Sequence, residues 1–236
     1  MNQKNLIAIT GFTLVEMAIT LVIVGLLLGG MVLPLVTLQE QSVFSETRQK
    51  LAEIREVMVG YGMSHGYLPC PAISVSNGAE DRNSSTGICN KRIGFLPWAE
   101  LGFQKLDGWG HLYRYSVSSN FSNSTTKILL TSNGDITVIA RDVNGATSNI
   151  SNIPAVIVSH GKAAAWAFQD GGSQIADTSA TNSDEDINGN NAAGTTFYSR
   201  DITKNTNSTG GEFDDLVVWI PSSLYINRMV SAGQLP

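Results

Sequence analysis

Few side chains in this chain could do chemistry, and they are widely spaced. Three histidines occur in 236 residues, His65, His111 and His160. None sits in an HExxH pair, and no GxSxG, P-loop or GxGxxG stretch accompanies them. Ser159-His160-Gly161-Lys162 reads as a strand end carrying a structural histidine, and Ser64 before His65 is adjacency in sequence, not a triad. No catalytic residue is assigned, and the chain is not read as an enzyme. Two cysteines, Cys70 and Cys89, stand in a loop-like stretch without a CxxC or a histidine pair, which argues against zinc. An even count in an exported domain reads as a disulfide, with two separate buried thiols as the alternative. Asp184-x-Asp186-x-Asn188-Gly189 has the spacing that opens a calcium loop, but Thr195 stands where the bidentate glutamate belongs. Asp201 or the Asp214-Asp215 pair are substitutes from further along. Asp184, Asp186 and Asn188 are therefore candidate metal ligands, weighed against a solvated acidic turn, which is the preferred reading. Calcium is the cation such a half-motif would take.

The remaining ionisable group of interest is Glu16, set in an otherwise apolar run. From Phe12 to Val36 only Thr13, Glu16 and Thr20 are polar. At about 1.5 Å per residue, 25 helical residues span roughly 38 Å, more than the ~30 Å hydrocarbon core of a bilayer. A secretory signal would have a shorter apolar run and a small-x-small cleavage site. Residues 12–36 are thus expected to be a retained transmembrane helix, kinked at Pro34, with the N-terminus weakly placed in the cytoplasm by Lys4. A carboxylate there calls for a cation, and the span contains no Lys or Arg. The cation must come from outside the chain or be made by cleavage.

The elements that follow are predicted from periodicity. Phe44, Leu51, Ile54, Met58 and Tyr61 recur at three to four residues, giving an amphipathic helix over 37–60 that ends among Gly60, Gly62 and Gly66. Residues 67–106 read as loop-rich, with a short helix or turn in Gly94–Gly102 packed on that helix through Phe95, Leu96 and Trp98. Strands are expected at Leu112–Ser118, on either side of Asn133-Gly134 as a hairpin, at Pro154–His160 and at Leu216–Ile220, with a closing helix over Ser222–Ala232. Without alternating helices the sheet should be antiparallel. Residues 171–211, dense in Ser, Thr, Asn, Asp and Gly, are expected to be a variable loop. The net charge of −5, with no basic stripe, argues against a nucleic-acid surface.

Gly11-Phe12-Thr13-Leu14-Val15-Glu16 resembles the processing motif of type IV pilins and type II secretion pseudopilins. The resemblance implies a prepilin peptidase that cuts between Gly11 and Phe12, N-methylation of Phe12, and Glu16 as an assembly carboxylate that meets the new amine of a neighbouring subunit. Cleavage would then make the missing cation. Asp107-Gly108-Trp109-Gly110, with Tyr113 and Tyr115, is similar to the signature that opens the sheet of the major pseudopilin. The early glutamate argues against the tip-capping subunit. The implied fold is α+β and pilin-like: leader 1–11, a long helix 12–60 whose first part spans the membrane, and a globular domain 61–236 packed on its second part. The implied setting is the bacterial inner membrane with the domain in the periplasm, and the implied partners are the peptidase, other filament subunits and the assembly platform. Related pseudopilins bind calcium. Two alternatives to a secretion pseudopilin are a minor type IV pilin for adhesion, motility or DNA uptake, and a membrane-tethered periplasmic enzyme or binding protein.

Overall fold

The computed structural model describes residues 11–235, with the backbone but not the side chains of 30–36. The chain divides into two compact units, residues 1–43 and 44–236. Helix α1, Leu14–His65, runs through the boundary. In the first unit its described side chains, up to residue 29, are all exposed. Among the described residues no helix is long and apolar enough to cross a membrane. The span expected over 12–36 is therefore not found as such, because its side chains are described only to residue 29, a helical length of about 24 Å from Leu14. Pro34, where a kink is expected, falls within the continuous helix α1, and the leader before Gly11 lies outside the described residues.

The second unit is an α+β layer arrangement. Strands β1 (Ile93–Phe95), β3 (Arg114–Val117), β6 (Ala155–Ser159) and β9 (Leu216–Ile220) form one antiparallel sheet in the order β1-β3-β6-β9. Strand residues alternate between faces, and the two faces of this sheet have different partners. Tyr115, Val117, Ala155, Ile157 and Val218 face one core, which contains the α1 stripe Leu51, Ile54 and Met58. Val156, Val158, Val217 and Trp219 face a second core, against Ile136, Val138 and Phe197 of a three-stranded sheet. Burying each large α1 side chain contributes about 1.5–3 kcal/mol, which is why the stripe read from the sequence is the face that packs. Helix α5 (Ser222–Ser231) closes the first core with Tyr225 and Met229.

Three expectations are corrected. The hairpin lies one turn later than Asn133-Gly134: β4 (Ile136–Arg141) and β5 (Thr147–Ile153) are joined through Asn144-Gly145, where Gly145 has φ +86° and the Asp142 carboxylate accepts the Asn144 and Ala146 amides. Gly134 is instead wedged against the Ile153 backbone, where a Cβ would sit 2.3 Å from the carbonyl oxygen. Next, the 171–211 stretch is not structureless. It holds α4 (Ser183–Gly189) and β8 (Thr196–Arg200), and β8 adds in parallel to β4, making the second sheet mixed, in the order β5-β4-β8. Lastly, of the three residues expected to pack on the spine, only Leu96 does. Phe95 and Trp98 join a small separate cluster with Ala72, Leu112 and Phe168, because β1 presents Phe95 to the opposite side. Phe168 belongs to β7 (Phe168–Gln169), which pairs with β2 (His111–Leu112). Two one-turn helices, α2 (Trp98–Leu101) and α3 (Ser119–Ser122), complete the element order.

Candidate functional site

At the start of α1 the Gly11–Phe12 bond precedes the first helical turn, Phe12 is 80% exposed, and nothing lies within 4 Å of where a Gly11 side chain would be. Among the described residues, nothing covers this bond. Four residues on, Glu16 Oε2 accepts both the Thr13 backbone amide and the Thr13 hydroxyl, each at 3.0 Å, while the Glu16 amide donates to Thr13 Oγ1 at 3.2 Å. This is a reciprocal capping box, in which two of the orphan amides of a helix start are satisfied. Thr-x-x-Glu before an apolar run is its sequence signature, so this local role of Glu16 was legible and was missed. The described side chains of this stretch include no cation.

Cys70 and Cys89 form the disulfide expected, with Cα atoms 5.3 Å apart. Inside that loop Arg82 is chelated by Glu80 and also donates to the Gly87, Leu68 and Ser122 carbonyls. The Asp107-Gly108-Trp109-Gly110 turn is a structural hub. Asp107 Oδ1 accepts the Trp109 and His111 amides, its Oδ2 accepts the Ser159 hydroxyl at 2.6 Å, Thr47 of α1 accepts the Gly108 amide, and Trp109 packs edge-on against Phe44. The motif joins the helix to the end of β6.

The candidate metal ligands Asp184, Asp186 and Asn188 are not brought together. They lie on a helix, where 100° per residue sends i and i+2 to opposite sides; an extended loop would let them converge. Buried Asp184 forms a two-pronged pair with Arg141, at 2.8 and 3.0 Å, and meets Arg200 at 3.2 Å. Asp186 accepts from the Trp166 indole. Asn188 acts as a piece of strand, exchanging two hydrogen bonds with the Tyr198 backbone and donating to Asp215. Asp184 and Asn188 are buried, unlike the residues of a solvated turn.

Among the described residues, Glu185, Asp214 and Asp215 do converge, with one oxygen from each within 4.8 Å of the others. Burial, then the Asp215 charge, pushes the Glu185 carboxyl up to about 8. Burial also raises Asp214 to about 6. Glu185 accepts the Asp214 amide and the Asn182 side chain, Asp214 Oδ2 accepts the Ala163 amide, and Asp215 meets His160 Nδ1 and Asn188. Asp214 Oδ1 is the one oxygen of the group left without a partner. Calcium takes six to eight oxygens, whereas this group is ringed by donors that already use its oxygens, so the set fits a shared proton better than that ion.

No nucleophile–base–carboxylate chain is formed by these groups. Ser159 and His160, neighbours in sequence, reach different carboxylates, and His160 Nε2 is buried without a partner. Ser64 Oγ lies 2.8 Å from His65 Nδ1, but that nitrogen also meets the Tyr61 carbonyl, and the ring stacks on Tyr61. Compared with known protein families, curated proteins and solved structures, the chain matches none.

Proposed function

We propose that this chain is a structural subunit of a pilin-like filament, of the type II secretion pseudopilin class. A prepilin peptidase removes residues 1–11, Phe12 is methylated at its new amine, and residues 12–36 insert in the inner membrane with the domain on the periplasmic side. The observation that carries this reading is the start of α1: an uncovered Gly11–Phe12 bond leads into exposed apolar side chains, with Glu16 the one acid among them. A helix end of that composition, with no apolar partner among the described residues of its own unit, is stable only in lipid or against other helices. Glu16 near its beginning costs least when a cation arrives beside it, and the amine freed at Phe12 of a neighbouring subunit is such a cation. The hub at Asp107 and the α1 stripe supply the rigid attachment a filament subunit needs between helix and domain. Mass analysis of the mature N-terminus tests the reading directly. In cells with an active prepilin peptidase it should find methylated Phe12, and an intact leader there rejects it.

A second reading is favoured by the Thr13–Glu16 capping box. On it, Glu16 serves only to start a helix that tethers a periplasmic binding protein, and no filament forms. The two readings part on whether the charge of Glu16 matters or only its hydrogen bonds.

A further inference from the structure

Arg114 of β3 is a cation with no anion beside it among the described residues. Among the described residues no carboxylate pairs with it, and its Nε is buried without a hydrogen-bond partner. Its guanidinium lies over two aromatic faces, 5.0 Å from the Phe168 centroid and 5.7 Å from that of Phe95. Such contacts contribute roughly 0.5–2 kcal/mol, against several kcal/mol for withdrawing a charge from water. Burial lowers the Arg114 pKa to about 10, which leaves the group charged at neutral pH. Its neighbour Arg92 shows the compensated alternative, a two-pronged pair with Asp135 at 2.6 and 2.7 Å.

Arg114 opens onto a pocket of about 510 Å³ whose walls include Ile73, Ile93 and Phe95 together with Arg92 and exposed Lys91. No acidic residue lines it. Lys91 also has no ion pair among the described residues. In a chain of net charge −5, this is a local excess of positive charge around apolar walls. The volume falls in the range of small-molecule sites, about 300–1,000 Å³. A guanidinium fork matches a planar carboxylate in two-pronged fashion, and the isoleucine walls suit an apolar body attached to that carboxylate. A free phosphate has no such body.

We propose that this pocket binds a small organic carboxylate, its carboxylate on Arg114, its apolar body against Ile73 and Ile93, and Lys91 adding charge. The site is independent of the filament reading, since it lies wholly within the second unit. Benzoate, benzyl alcohol and inorganic phosphate, titrated at constant ionic strength into the full-length protein in detergent, separate the contributions. Benzoate should raise the melting temperature saturably, as a ligand of the folded state does. Benzyl alcohol, which keeps the body and loses the charge, should not. Arg114→Gln should weaken benzoate binding at least about tenfold, the scale of one lost charge-assisted pair, and Lys91→Gln by less. Equal shifts with benzyl alcohol or with phosphate, or unchanged binding to Arg114→Gln, overturn the proposal. Should Arg114→Gln fail to fold, the wild-type protein still decides: nuclear Overhauser contacts from the benzoate ring to the Ile73 and Ile93 methyl groups are required, and their absence at saturating benzoate overturns it.

Discussion

Asp184 is 2% exposed and meets two arginines, which makes its carboxylate a structural counter-ion. Removing one member of a buried charge cluster leaves the others uncompensated and costs about 3–5 kcal/mol. Asp184→Ala should therefore lower the domain's unfolding free energy, measured by urea titration, by that order, with or without calcium. A stability loss that appears only in the presence of calcium would return Asp184 to the ligand role. Its neighbour Glu185 belongs to a different balance. Because burial raises its pKa from 4.5 to about 8, the folded chain keeps a proton that the unfolded chain releases. Stability should then fall as pH rises from about 4.5 to 8, by at most about 1.4 kcal/mol per pH unit, and level off above. Asp214 adds to the same fall in the lower part of that window. Glu185→Gln, which cannot ionise, should flatten most of this slope in a series of melting temperatures against pH; an unchanged slope would contradict the assignment. None of these partnerships was legible in the sequence. Arg141 and Asp184 are 43 residues apart, and the half-motif Asp184-x-Asp186 carries no sign of whether it will be loop or helix. Thr13-x-x-Glu16, in contrast, was local and readable.

At the scale of elements, α1 and α5 approach closely at Gly62. A Cβ placed there would lie 2.0 Å from the Tyr225 hydroxyl and 2.7 Å from its ring, and Tyr225 is fully buried. Gly62→Ala must push α5 away and should cost about 1–3 kcal/mol. Gly60→Ala, two residues earlier on the same helix with nothing within 4 Å, should be neutral or stabilising by up to about 1 kcal/mol. Paired thermal melts check this, and equal effects at the two sites would refute the packing argument. The helix ends at His65, beside the last of the glycines expected to terminate it, while Gly60 and Gly62 lie inside it. The α1 stripe, the strands at 155–159 and 216–220 and the final helix were legible because each is a periodic apolar run whose burial decides its structure. The parallel addition of β8 to β4 was not, since it depends on a crossover through polar residues with no period of their own. The hairpin signal was right in kind but misplaced, because two Asn-Gly pairs compete and only the second has strands to join on both sides.

At the scale of the whole molecule, the proposed filament role rests on a short stretch at the start of α1 and on one carboxylate within it. Glu16 has a local use that the structure shows and an intersubunit use that is inferred, and the two are separable by chemistry. Glutamine keeps the acceptor oxygen a capping box needs but carries no charge, whereas leucine removes both. The most direct measurement is filament assembly of Glu16→Gln beside Glu16→Leu and wild type, with membrane abundance and leader removal followed in the same cells. If the carboxylate pairs with the Phe12 amine of a neighbouring subunit, Glu16→Gln will insert and be processed like wild type yet fail to assemble, as Glu16→Leu does. Assembly of Glu16→Gln at wild-type levels would contradict that account and leave Glu16 with the capping role alone.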